Sequence, residues 1–291
     1  MSAEGRLAPT TFYREIGRNR RRSWLLIVIV VLVLGLLGGA IGYATGLGWV
    51  GVALAIVVAS VMSVGTFFAG DALVMATSGA SEIDQAKPPE RYQQFINVAE
   101  EMRLAGGLPR PRLWVIDDSA PNAFATGRDP EHASVAVTTG LLEKLDREQL
   151  QGVIGHEMSH IGNLDIRFTL LVGVLVGSIA LLADWFLRFT FWGGGRRSND
   201  SDRGGGGAAA LIFILALVLA VVAPLIGRLV QAAVSRSRES LADATAVELT
   251  RNPTGLARAL RTISDDAEVL EVANRATQHL YIVNPIKSFE E

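Results

Sequence analysis

Two histidines four residues apart, His156 and His160, enclose a glutamate at Glu157 in the run HEMSH. Four residues make about one helical turn, so on a helix both imidazoles share a face and can bind one metal ion. Glu157 projects about 100° around the helix from His156, which aims its carboxylate at a water activated by that ion rather than at the ion itself. The chemistry these types and spacings offer is metal-assisted hydrolysis. In a chain of 291 residues with four histidines, chance yields the pattern roughly three times in a thousand.

Cysteine is absent, so the ion must be held by imidazole and carboxylate, and zinc suits such a set. Two histidines leave one protein ligand to be found, with a fourth position kept for water. The segment SRSRESLADA, residues 235–244, offers Glu239. Asp243 lies one turn further on the same face, where it can accept a hydrogen bond from a ligand imidazole and fix its orientation. Glu248, Glu268 and Glu271 are the alternative third ligands. The bland reading of Glu239 and Asp243, flanked by Arg236 and Arg238, is a solvated helix face. For HEMSH it is a pair of solvent-facing histidines, a reading that leaves the helix-weakening Gly152 and Gly155 without a close-packing reason.

The elements that must position these residues are partly legible. Asp146 with Gln149 three residues on forms a capping box, and Leu150, Val153, Ile154 and Met158 recur at helical spacing, so residues 146–161 are expected to be a helix. Tyr92, Phe95, Ile96, Ala99 and Met102 predict another over 90–104. Residues 112–116 read as a short strand, and 133–139, alternating Val135, Val137 and Thr139 with smaller residues, as a half-buried one. Residues 122–127 are expected to be its partner or an edge strand. There a substrate would lie extended against Asn122, Ala123, Phe124 and Ala125, because strand addition binds backbone and tolerates varied side chains.

No charged residue occurs among the 48 from 23 to 70. A single helix that long would measure about 72 Å, so the run predicts two crossings of a roughly 30 Å hydrocarbon layer. Apolar runs at 24–45, 49–70, 168–192 and 204–227 give four spans, the third carrying Asp184 and Arg188 as an i,i+4 pair near one end. Arg18, Arg20, Arg21 and Arg22 precede the first span and place the amino terminus in the cytoplasm. Arg196, Arg197 and Arg203 in the Gly-rich 193–207 loop argue mildly the other way. The balance of 27 basic against 29 acidic residues, net −2, gives no sign of nucleic-acid binding. No Gly-Lys-Ser/Thr ending follows a Gly-rich stretch, so no nucleotide is expected.

The strings NAFATG (122–127), VAVTTGLL (135–142), HEMSHIGNLD (156–165), SRESLADATAVEL (237–249) and HLYIVNP (279–285), with TFYREIGRNRRRS (11–23), closely resemble the HtpX-type membrane zinc metalloproteases, relatives of the CAAX prenyl-protein endopeptidases. The resemblance covers nearly the whole chain. It implies an α-helical integral membrane protein with four transmembrane helices and a cytoplasmic α+β zincin-like (gluzincin) protease domain. His156, His160 and Glu239 would bind zinc, Glu157 would be the catalytic base and Asp243 would orient a ligand. It also implies proteolytic quality control of membrane or misfolded proteins in the bacterial cytoplasmic membrane. Family members continue into a His-Pro-Pro segment and an arginine, whereas this chain stops at Glu291; either it is truncated or another group substitutes, with His279 as a candidate. His132 reads as a surface residue.

The expected organisation is a cytoplasmic segment at 1–22, a transmembrane hairpin at 23–70, the zincin-like domain at 71–167, a second hairpin at 168–227 and a cytoplasmic helical part at 228–291 that supplies the third ligand. An even number of crossings keeps His160 and Glu239 on one side, and their closeness in sequence to spans three and four puts the site near the cytoplasmic membrane surface. Rival readings are a non-catalytic zinc-binding membrane scaffold, which would have no need of Glu157, and an intramembrane metalloprotease. Arg147, Glu148, Asn163, Asp165 and Arg167 around the motif disfavour the latter.

Overall fold

The computed structural model describes residues 48–172, 236–266, 268, 270, 281 and 282, with isolated helical positions between 21 and 35. The first helix, α1, runs over Gly48–Thr77, followed by β1 (Ser81–Glu82), a 3-10 turn at Glu90–Tyr92 and α2 (Gln93–Ala105). Then come β2 (Arg112–Ile116), β3 (Ala123–Gly127), β4 (Ala133–Thr138), α3 (Thr139–Lys144) and α4 (Arg147–Gly162). A further helical stretch covers 165–172. The last elements are α5 (Arg236–Thr250) and α6 (Pro253–Asp265).

The chain divides into two compact units, one containing Phe68–Leu170 and the described residues of Ala233–Glu291, the other Trp24–Phe67 with Leu171–Ala232. Helix α1 takes in the second apolar run and continues beyond Gly70, where Asp71 pairs with Arg112 of β2. Among the residues described in full, no helix is long and apolar enough to cross a membrane. Apart from isolated positions and 168–172, the first, third and fourth apolar runs and the 193–207 loop lie outside the described residues.

The sheet has the order β1-β2-β4-β3. β2 and β4 are parallel, with Leu113 opposite Val135, while β3 runs antiparallel to β4 with Phe124 opposite Ala136. Among the described residues β3 is therefore an edge strand. β4 departs from the expected half-buried strand, since all six of its residues are buried. Its alternation separates two packed faces: Val135 and Val137 meet α2 and α4, whereas Ala136 joins Phe124, Met75, Leu270 and Tyr281 on the other side. Small residues sit where the second layer is close, which a reading of polar-out alternation misassigns. The strand ends at Thr138, whose hydroxyl accepts the Leu141 N–H and starts α3, a helix too short to show periodicity.

Helix α4 begins as the capping box dictates: Asp146 accepts the Gln149 N–H at 2.8 Å and the Gln149 side chain accepts the Asp146 N–H at 2.9 Å. It packs against α2, α5, α6 and β3. Its glycines do have a packing reason. A Cβ on Gly152 would stand 2.5 Å from the Leu256 backbone nitrogen of α6, and one on Gly155 would meet the Thr250 methyl at 3.3 Å and the Ala246 Cα at 3.5 Å.

Those distances order two substitutions. Gly152→Ala has only backbone to displace and should destabilise the fold by about 1–3 kcal/mol, the range for overpacking. Gly155→Ala meets a methyl that can shift, and the roughly 1 kcal/mol gained in helix propensity offsets the crowding. Thermal denaturation should show a lowered midpoint for the first variant and a near-unchanged one for the second; the reverse order would contradict this packing.

Candidate metal centre

Helix α4 turns His156 and Glu157 into the interior, where both are almost wholly buried. The two imidazoles converge: His156 Nε2 and His160 Nε2 are 3.1 Å apart. From the first turn of α5, Glu239 brings its Oε2 to 3.4 Å from the former and 3.6 Å from the latter. The remaining ring nitrogens point outward to carboxylates. His156 Nδ1 lies 3.0 Å from Asp243 Oδ1, and His160 Nδ1 lies 3.1 Å from Asp165 Oδ2. With a carboxylate beside Nδ1 of each ring, both Nε2 atoms are directed at one point.

The donor set fits a zinc ion. Bonds of about 2.0–2.1 Å in a tetrahedron have edges of roughly 3.3–3.4 Å. The three observed separations bracket that edge. Two imidazoles and one carboxylate also match the type of ligand that zinc takes in hydrolytic sites with an open fourth position.

The electrostatics follow from crowding ionisable groups into a dry place. Burial pushes the His160 imidazolium down, but the carboxylates of Asp165, Glu239 and Glu157 outweigh it and hold the group up at about 10. His156 is raised in the same way: burial opposes, while hydrogen bonds to Asp243 and Glu239 prevail. Glu239 moves well below the ordinary carboxylate range, because the two imidazoles overcome its partial burial. Glu157 shifts upward, since burial dominates over the nearby imidazoles and the Ala125 backbone amide, which favour its ionised form. A buried carboxyl so raised holds a proton more readily than an ordinary carboxylate does.

Of the alternative ligands, Glu248 lies on α5 away from the three converging donors, and Glu268 pairs with Lys144 at 3.2 Å. Glu271 and His279 lie outside the described residues. His132 is half exposed and pairs with Asp129 at 2.6 Å, as a turn-stabilising surface residue.

Asn122, Ala123, Phe124 and Ala125 are all buried, and the Ala125 amide lies beside Glu157. The Thr138 N–H donates to the Asn122 carbonyl, so by antiparallel alternation Phe124 turns its backbone groups to β4 while Ala123 and Ala125 turn theirs outward. The Phe124 ring lies on the far face against Tyr281, 4.9 Å between centroids. The Ile282 N–H donates to the Ala123 carbonyl at 3.0 Å.

Two residues next to the site escape sequence reasoning. Asp165 reads only as a polar flank of the motif, and Arg238 only as part of a solvated face; both are buried. The available signal is positional: Asp165 follows His160 by five residues, and Arg238 immediately precedes Glu239.

Residues 89–286 match the model of peptidase family M48. The chain is 44% identical over 277 residues to a protease HtpX homolog of Streptococcus thermophilus, covering 94% of this chain and 91% of that protein. A protease HtpX homolog of Ligilactobacillus salivarius is similar to the same extent. One of Thermoanaerobacter pseudethanolicus is 40% identical over 281 residues, 97% of this chain and 92% of its own. No solved structure matches the chain.

The raised imidazoles carry a sign. A proton held on His160 up to about pH 10, against about 6.5 in the unfolded chain, stabilises the metal-free fold fully below pH 6.5. That contribution is lost as pH rises toward 10. A divalent ion must displace the same proton, so its affinity should climb across this window by about tenfold per pH unit for each proton released. Titration of metal-free protein with zinc at pH 6.5, 7.5 and 8.5 tests this; a flat affinity would contradict a protonated His160 in the metal-free centre.

Proposed function

Since the chain belongs to peptidase family M48 and is a metalloprotease, we propose that it is a zinc-dependent endopeptidase of the bacterial cytoplasmic membrane. In this reading it cuts membrane and misfolded proteins at the cytoplasmic face, as proteolytic quality control. The observation that carries the zinc site is the convergence of three donor atoms, from His156, His160 and Glu239, with separations of 3.1–3.6 Å.

Zinc, when bound, supplies Lewis acidity toward a peptide carbonyl and makes water a better nucleophile at neutral pH. Glu157 takes the proton from the attacking water, and its burial keeps that proton in a raised-pKa carboxyl until the leaving amine accepts it. Asp243 holds the His156 ring through Nδ1 so that Nε2 faces the ion. The substrate backbone lies along β3 at Asn122, Ala123, Phe124 and Ala125, where Ala123 and Ala125 turn their peptide groups to the edge, the Ala123 carbonyl being already held by Ile282. Since Phe124 packs away from the site, its contribution is backbone alone, which suits broad sequence tolerance.

Membrane anchorage rests on the four apolar runs and on the arginines at 18 and 20–22. It is supported by the large side chains of α1 that stand exposed, among them Trp49, Val50, Val57, Val61 and Phe68. Such a row suits hydrocarbon as its neighbour. The proposed division is a hairpin at 23–70, a protease domain at 71–167, a second hairpin at 168–227 with its 193–207 loop, and a cytoplasmic part at 228–291 that brings Glu239 to the site.

Two measurements test this reading. Glu157→Gln should keep one zinc per chain yet lower cleavage of casein or a membrane substrate by about 10²–10⁴-fold, whereas His156→Ala should lose the zinc itself. Wild-type cleavage by Glu157→Gln would remove the base. In cells, the full chain should stay in the membrane pellet after alkaline carbonate extraction; release into the supernatant would rule out the spans.

A further inference from the structure

Helix α5 enters the metal centre with Arg238 directly before Glu239, and the arginine is the deeper of the two, its side chain 3% exposed against 45% for the glutamate. A guanidinium keeps its charge, so burying it requires a charged or strongly polar partner. Asp165 serves here: its Oδ1 lies 3.7 Å from Arg238 Nη1, and its side chain is itself 4% exposed. The other oxygen of the same carboxylate, Oδ2, lies 3.1 Å from His160 Nδ1. Beneath the guanidinium, the Phe168 ring centroid is 5.0 Å from Cζ. Asp165 reaches this point because α4 ends at Gly162 and the chain turns through Leu164 at φ +59°, a conformation that leucine adopts only at a cost.

We infer that Asp165 and Arg238 are positioning residues of the metal centre: Asp165 fixes the ring of His160, and Arg238, docked on Asp165 and Phe168, sets the register of α5 that delivers Glu239. Neither residue supplies one of the three converging donor atoms, so each acts through a neighbour. One carboxylate thereby links two ligands that are 79 residues apart in sequence. His160 is oriented through one of its oxygens, and Glu239 is placed through the arginine on the other. A rotation of α5 by one residue would swing Glu239 about 100° from the imidazoles. The buried pair opposes that rotation, since turning α5 would pull two buried opposite charges apart.

This inference rests on the zinc-site reading above and adds two residues to it. The full chain in detergent is compared as wild type, Asp165→Ala, Asp165→Asn, Arg238→Ala and Arg238→Lys. Zinc affinity is measured by chelator competition, the ligand field by cobalt(II) absorption, and folding by the thermal midpoint without metal. Each alanine variant should bind zinc about 10–100-fold more weakly and alter the cobalt spectrum. Asp165→Asn, which keeps an acceptor for His160, and Arg238→Lys, which keeps the charge, should recover part of both. The inference is overturned if all four variants match wild type in affinity and spectrum. It is equally overturned if the losses follow the metal-free thermal midpoint with no recovery in the conservative pair. A wild-type chain that binds no zinc would remove the zinc-site reading itself, an outcome separate from either of these.

Discussion

Two imidazoles and a carboxylate held within 3.6 Å of one another impose the constraint to which the rest of the protease unit answers. Groups of this kind prefer water, and His156 and Glu157 are instead buried in a helix among Val153, Ile154 and Met158. Leaving a protonated imidazole there without a charged neighbour would cost several kcal/mol. Asp243 and Asp165 remove that difficulty at the Nδ1 atoms, while Glu239 meets both rings at Nε2. The centre is thus a nest of alternating charge before any metal is considered, and in the proposed reading a cation would complete it by replacing protons on nitrogens already aimed at one point.

Holding the arrangement is a packing problem. Helix α4 carries two of the donors and is enclosed by α2, α5, α6 and β3. Gly152 lets α6 approach to backbone contact, and Gly155 lets α5 come near at Ala246 and Thr250. The distance between α4 and α5 fixes whether Glu239 reaches the imidazoles, so glycines that weaken α4 as an isolated helix are what allow its neighbours to come close. Local propensity and tertiary need disagree here, and the tertiary need prevails.

The legibility of this molecule follows the range of the forces involved. The helix carrying the two histidines is readable from Asp146, Gln149 and its apolar spacing, because capping and periodicity are local. The strand at 112–116 is readable from composition for the same reason. β4 reads wrongly as half buried, since nothing within the strand reports that Tyr281 and Leu270, more than 130 residues on, cover its second face. The two-residue β1 and the six-residue α3 are too short to carry a pattern. At the site, types and spacing point to His156, Glu157, His160, Glu239 and Asp243 as a group that the fold brings together. Asp165 and Arg238 are not legible, because a buried ion pair and a solvated one look alike in sequence, and the difference lies in a left-handed turn at Leu164.

The edge strand β3, proposed above as the substrate's backing, is held in place by its own neighbours. An unpaired edge invites association with any extended chain, and proteins normally blunt it. In β3 the outward groups are divided between two neighbours: the Ala123 carbonyl accepts from Ile282, and the Ala125 amide lies beside Glu157. The Ile282 contact, with Tyr281 packed on Phe124 behind the sheet, anchors one end of the edge to the carboxyl-terminal part of the chain. The other end is tied to the carboxyl group proposed as the base. Any displacement of β3 along its own axis would therefore disturb the hydrogen bonding of Glu157 and the packing of Tyr281 together. In the proposed reading, a peptide laid against the edge would meet a strand whose position relative to Glu157 is already fixed, so its backbone register would be set by the sheet rather than by its side chains.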